Sequence, residues 1–230
     1  MKTATLFTFL ILSGTIFSRK AGAQSLESAL ARLDRAAPQF HTYQADMRHL
    51  VHTAVINDDS VDQGTIKFKR DKSHETRVLI DITGADAKAV AVDSSSAVNI
   101  YNPKTQTVQV FEIGDKRSLL DRFLLLGFGA SSSELKAAYD VSYVGTEAIG
   151  GQQTDHIVLI PKTADILKQL KRAELWIAAD GLPLQQKAVT SATGDYGLFT
   201  YSNVKVNPAL SDNALKINYP KGVKFEHPGR

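Results

Sequence analysis

Between Tyr43 and Val206 the sequence returns again and again to one pattern, apolar and polar residues in alternation over short runs separated by turn residues. A period of two marks half-buried strands, because successive side chains of a strand point to opposite faces. Tyr43, Ala45, Met47, Val51 and Val55 alternate with Gln44, Asp46, Arg48, His52 and Ile56, which predicts one long strand, and Asn57-Asp58-Asp59-Ser60 predicts the turn after it. In the next two runs Ile66 and Phe68 oppose Lys67 and Lys69, and Val78, Ile80 and Ile82 oppose Arg77 and Asp81. Short connections favour antiparallel neighbours. Further strands are expected at residues 88–92, 97–101, 107–113, 141–148, 154–161, 173–178, 183–189 and 195–206, with Gly150-Gly151 and Asp180-Gly181 as hairpin turns. The fold class implied is α+β, mainly β.

Four stretches depart from that period. Residues 25–37 carry Leu26, Leu30, Leu33 and Ala37 at helical spacing, with Ser25 as N-cap and Pro38 as the stop. Shorter helical pieces are expected at residues 132–139 and 164–170. Residues 115–128 crowd Leu119, Leu120, Phe123, Leu124 and Leu126 onto a helix that exits at Gly127 and Gly129. An antiparallel sheet with one apolar face needs a cover, and this segment is apolar enough to be one. Period and composition do not separate a packed core beneath it from a lined cavity.

The amino terminus reads as a secretory signal: Lys2, then an apolar stretch from Ala4 to Phe17, then Ala21-Gly22-Ala23 as the cleavage pattern. The stretch is shorter than the roughly 20 residues that span a bilayer, so residues 1–23 are expected to be removed and residues 24–230 to form a single domain. Without Lys2, Arg19 and Lys20 the 27 basic residues fall to equal the 24 acidic ones, so no basic field points to nucleic acid. Absence of cysteine excludes disulfides, thiol catalysis, thiolate metal sites and a lipid-modified cysteine.

No catalytic signature is present: no Gly-x-Ser-x-Gly elbow, no His-Glu-x-x-His, no complete phosphate loop. Gly127-Phe128-Gly129 lacks a third glycine and follows a helix, so it reads as a helix exit. His49 and His52 stand three apart, which on a strand places them on opposite faces and makes them structural and not paired ligands. His41, His74, His156 and His227 are scattered. Lys67, Lys69, Arg70 and Lys72 form a basic run that fits a solvated strand face, anionic headgroups or a protein partner.

Taken in order, these features resemble the family of periplasmic outer-membrane lipoprotein carriers, the LolA-type proteins. An exported precursor is followed by the amphipathic helix, by Phe40 and Tyr43 opening a long strand, and by Gly64-Thr65-Ile66-Lys67-Phe68-Lys69-Arg70. Val98-Asn99-Ile100-Tyr101-Asn102-Pro103, the apolar insert and Tyr219-Pro220-Lys221-Gly222-Val223-Lys224 continue the likeness to the end of the chain. The resemblance implies an incomplete antiparallel β-barrel, a half-barrel, with short helices covering its concave apolar face and a cavity for acyl chains between. The expected lining is Met47, Ile66, Phe68, Val78, Ile80, Leu119, Phe123 and Leu126. Arg70 matches the family arginine that latches the lid through backbone carbonyls, although Asp71 stands where typical members have proline.

The function that the resemblance implies is that of a monomeric periplasmic carrier of acylated lipoproteins or other lipids. It would work without chemistry or cofactor, receiving cargo from an inner-membrane extraction complex and delivering it to an outer-membrane acceptor. Two other classes stay in view: a lipid-sensing regulatory protein on the same fold, and an exported hydrolase.

Overall fold

The computed structural model describes residues 18–70, 76–92, 97–114 and 126–228, with side chains from residue 25 onward. In chain order the strands are β1 (Thr42–Thr53), β2 (Asp58–Arg70), β3 (Thr76–Thr83), β4 (Lys88–Val92), β5 (Ala97–Asn102) and β6 (Thr107–Glu112). They continue as β7 (Tyr139–Ile149), β8 (Gln152–Pro161), β9 (Arg172–Ile177), β10 (Pro183–Val189), β11 (Tyr196–Val206) and β12 (Lys224–Glu226). The helices are α1 (Ser18–Ala36), α2 (Ser132–Ala138) and α3 (Ala164–Gln169).

All twelve strands share one open sheet in the order β12-β6-β5-β4-β3-β2-β1-β11-β10-β9-β8-β7. The chain starts at the centre with β1, meanders outward to β6, reappears at the far edge as β7 and meanders back until β11 pairs with β1. The link from β6 to β7 therefore joins the two ends of the antiparallel part of the sheet. Its described residues Leu126, Phe128 and Leu135 are buried on the sheet's inner face. Register shifts at Gln44/Asp46, Tyr143/Gly145 and Pro183/Gln185 break three of the ladders. Such bulges bend a strand and sharpen its twist. The result is the mainly β, unclosed half-barrel with short helices that the sequence implies.

On the inner face, α1 lays Ala29, Leu30 and Leu33 against Tyr139, Ile157, Leu159, Ala173, Leu175 and Ile177 of β7 to β9. Burying each of the two leucines is worth about 1.5–3 kcal/mol. Polar bonds set the helix's position. Arg32 pairs with Asp155 of β8 at 2.7 Å, and the Asp34 carboxylate accepts both the amide (2.7 Å) and the hydroxyl (2.6 Å) of Ser132 at the start of α2. α2 itself begins in a capping box between Ser131 and Glu134.

Three expectations need correction. The first helix begins at Ser18, so Ser25 lies inside it and is not its cap. Ala21 and Ala23 are among the strongest helix formers, and the helix runs on through them. Val55 and Ile56 do not extend the first strand. They sit in a turn closed by the Asn57 amide donating to Ala54 O (3.2 Å), with Asn57 at φ 50°, and are 76% and 69% exposed. The expected turn residues Asp58, Asp59 and Ser60 instead begin β2, paired with Thr53, His52 and Val51.

The sheet is also apolar on part of its outer face. Leu79, Ala91, Ala97, Val108 and Val110 are buried there under a carboxy-terminal strap, which supplies Leu215 and Ile217 to one group and Val223 to the other. Asp212 anchors the strap by accepting from Lys69 Nζ (2.6 Å) and Arg77 Nη2 (2.9 Å), and the strap ends as β12, parallel to β6.

Candidate functional site

Alternation along β1, β2 and β11 places Tyr43, Phe68 and Tyr201 on the inner face at the centre of the sheet. Tyr43 stands opposite Phe68, and Met47 stands opposite Tyr201. With Phe40 they form an aromatic cup, and Phe128 fills it. Phe128 is 0% exposed, with ring centroids 4.7 Å from Tyr43, 5.1 Å from Phe68, 5.4 Å from Tyr201 and 6.1 Å from Phe40. Tilted and edge-on ring pairs of this kind add about 0.5–1.5 kcal/mol each to the area they bury.

The backbone around this plug is built for close approach. Gly127 and Gly129 have φ of 84° and 66°, the left-handed region that a side chain disfavours. A Cβ on Gly129 would stand 2.7 Å from Phe40 Cδ1 and 3.2 Å from Arg70 Nη1. The two glycines thus let one phenylalanine drop into the cup while the chain on either side stays against the walls.

Two side chains hold that segment by its carbonyls. Arg70, at the end of β2, donates from Nη1 to Gly129 O at 2.7 Å. Gln186 of β10 donates from Nε2 to Leu126 O, and its own Oε1 accepts from the Tyr201 hydroxyl at 2.6 Å. Burial, and then the proximity of Tyr43, pushes the Tyr201 hydroxyl well above its ordinary value. Burial first and the negative field of Asp180 second do the same for Tyr43. Both phenols stay neutral donors.

Beside the plug lies a cavity of about 70 Å³ lined by Ile66, Phe68, Ile80, Leu126, Gln186, Lys187, Ala188, Phe199 and Tyr201. Ligand pockets run to roughly 300–1,000 Å³, so this cavity as it stands is too small for a long chain. Of the residues expected from the sequence, Ile66, Phe68, Ile80 and Leu126 line this cavity. Met47 and Val78 are buried in the packing around the cup, 3% and 1% exposed. Leu119 and Phe123 lie outside the described residues, as does Asp71.

Sequence reasoning missed Phe128, Tyr43, Tyr201 and Gln186 as one unit. The signal available was an aromatic residue between two glycines at the end of an apolar segment. His49 and His52 do face opposite ways: His49 stacks on Phe199 (4.0 Å, 6°) on the inner face, and His52 stacks on Tyr196 (4.8 Å) with its Nδ1 2.7 Å from Asp59. Burial lowers the His49 pKa, with Asp62 opposing and Lys88 reinforcing the shift. His156 stacks on Trp176 and pairs with Glu174 at 2.9 Å. Among the described residues no group of three acidic or histidine side chains could hold a metal, and no helix is long and apolar enough to cross a membrane.

The chain is thus an open, mostly antiparallel sheet whose inner face holds an aromatic cup filled by Phe128. The profile of the family described as "Outer membrane lipoprotein carrier protein LolA" matches residues 39–218, and the chain belongs to that family. The family so described is one of carriers and not of enzymes. No curated protein matches the sequence.

Among solved structures the chain is similar to MucB, at 18% identity and TM-score 0.52 over 85% of this chain and 63% of that one. It thus spans less than two thirds of MucB. An uncharacterized conserved protein from Thermus thermophilus aligns at 13% identity and TM-score 0.53, over 89% of this chain and 99% of that one. LprF from Mycobacterium bovis aligns at 12% identity and TM-score 0.49, over 84% of this chain and 98% of that one. For MucB and the Thermus protein, at these identities, the likeness is one of fold.

Proposed function

We propose that the mature protein is a periplasmic carrier. It would bind the acyl chains of lipoproteins, or of another lipid, on the inner face of the sheet and escort them toward the outer membrane. The observation that carries this reading is Phe128, an apolar side chain parked in an aromatic cup on a segment held through its backbone carbonyls. Such a plug can leave as a unit, and its departure joins the cup to the apolar cavity beside it. Burying acyl chain is worth about 0.8 kcal/mol per CH₂, so a long chain exposed to water costs on the order of 10 kcal/mol, and a soluble escort must hide most of it. Release requires that part of this energy be taken up in displacing the plug.

Residues 1–23 serve export on this account, with cleavage near Ala23. Because α1 runs through that position, cleavage would leave the stripe of Ala29, Leu30 and Leu33 intact. Loading would come from an inner-membrane extraction complex and unloading to an outer-membrane acceptor, with Arg70 as the lid latch. The test is a native mass spectrum and lipid extract of protein purified from its own periplasm. Acylated species bound in defined stoichiometry support the proposal. Protein that is empty and takes up no fluorescent fatty-acid probe refutes it. A lipid-sensing regulator would also load, but would then co-purify with the exported domain of a membrane protein whose binding depends on the loaded lipid.

A further inference from the structure

The outer face carries a cavity of its own, about 360 Å³, between β2, β3 and β4 and the strap that crosses them. Its wall includes Lys67, Asp81 and Tyr101 from the sheet and Lys216 and Asn218 from the strap. Lys67 stands opposite Leu79, two places from Asp81, so both charges lie on the face that carries Leu79. Diagonal neighbours of this kind are about 7–8 Å apart. The other charges nearby are already paired: Lys69 and Arg77 hold Asp212, and Lys88 is turned to Asp62 at 3.9 Å. The side chains of Lys67, Asp81 and Lys216 have no ion pair or hydrogen bond among the described residues. Lys67 and Asp81 are half-buried, and charges drawn out of water are costly until they are paired.

We infer that this cavity binds a phosphoethanolamine headgroup at a membrane surface, with Lys67 and Lys216 on the phosphate and Asp81 on the ammonium. Two free cations and one free anion in one cavity call for a ligand that carries both signs. A phosphodiester offers two non-bridging oxygens to two lysines, and its ammonium, on a two-carbon arm, offers three donors to the carboxylate. A phosphoglycerol group would leave Asp81 facing an anion, and a trimethylammonium group has no N–H to donate to it. The volume falls in the range of small-molecule pockets. A membrane is favoured over a free headgroup by what adjoins the cavity. Tyr101 of its wall begins a run of edge-on rings with Tyr219 (5.7 Å) and Phe225 (5.5 Å from Tyr219), and the last two are 36% and 54% exposed. Lys221 and Lys224 are exposed beside them. Aromatic rings and lysines together make a surface suited to the headgroup layer. This face is opposite to the cup, and the inference does not depend on the carrier reading.

The experiment measures co-sedimentation of the mature protein with vesicles of phosphatidylcholine alone, and of phosphatidylcholine mixed equally with phosphatidylethanolamine or with phosphatidylglycerol. The parent should bind the phosphatidylethanolamine vesicles about fivefold or more better than phosphatidylcholine alone. Asp81→Asn should abolish that preference without weakening binding to phosphatidylglycerol. Lys216→Gln, a change at an exposed position of the strap, should weaken binding to both mixtures. Equal binding of the parent to phosphatidylethanolamine and phosphatidylcholine vesicles overturns the inference. So does a preference that survives both substitutions in proteins of unchanged melting temperature. A third result, in which soluble glycerophosphoethanolamine shifts the NMR signals of Lys67, Asp81 and Lys216 but no vesicle retains the protein, would make the ligand a free headgroup and overturn the membrane assignment.

Discussion

Arg70 Nη1 lies 2.7 Å from the carbonyl oxygen of Gly129, tying the end of β2 to a residue 59 positions further along the chain, next to the plug. A charged donor to a half-buried carbonyl contributes about 1.5–3 kcal/mol. Arg70→Leu should leave the fold intact, because the residue belongs to none of the packed apolar clusters, and should shift the balance toward an open plug. Probe exchange about tenfold faster or more than in the parent, at an unchanged circular-dichroism spectrum, is the expected outcome. Equal exchange would remove the latch role.

Gly129→Ala attacks the same closed state from the backbone. The substitution places a side chain at φ 66° and a Cβ 2.7 Å from Phe40 Cδ1. A strained φ of this kind costs about 1–3 kcal/mol. The amides of residues 126–130 should exchange hydrogen faster than in the parent, while those of α1 and β8 should not. A uniform acceleration would mean that the whole fold, and not the plug, has loosened.

Phe128→Ala empties the cup. Phenylalanine-to-alanine changes in packed sites cost about 3–5 kcal/mol, so the melting temperature should fall. An acyl ligand that occupies the vacated space should raise it again, and by more than the same ligand raises the parent. Equal ligand-induced shifts in the two proteins would show that the ligand binds elsewhere.

On the outer face, hydrogen bonds from Lys69 and then Arg77 hold Asp212 at about 2, below its ordinary 3.8. A depressed folded-state value stabilises the attached strap above the ordinary aspartate range, and the contribution is lost as pH falls from near 4 through 2. Hydrogen exchange at residues 215–217 should therefore quicken across that window in the parent. In Asp212→Asn it should already be fast at neutral pH and show no such step.

Much of the sheet was legible because its strands are half-buried and keep a period of two: residues 88–92 and 183–189 were located to the residue. The errors have physical causes. Val55 and Ile56 continue the alternation past the end of β1 but sit in an exposed turn whose position the Ala54–Asp195 bond helps to set, from another part of the chain. The strap carries Leu215, Ile217 and Val223 without any period, so nothing local announces that it covers Leu79 and Val108. In the site, the apolar wall residues Ile66, Phe68 and Ile80 follow from alternation. Gln186 and Tyr201 became significant only when β10 and β11 brought them to Leu126 and Phe128. That is a tertiary relation with no trace in spacing.

On the proposed reading, Phe128 occupies the place of an acyl chain. A crystal structure of the mature protein with dipalmitoylglycerol tests it most directly. Phe128 should be withdrawn from the cup, with acyl carbons against Tyr43, Phe68 and Tyr201. Phe128 still seated among those three rings, with lipid bound at another place, would contradict it.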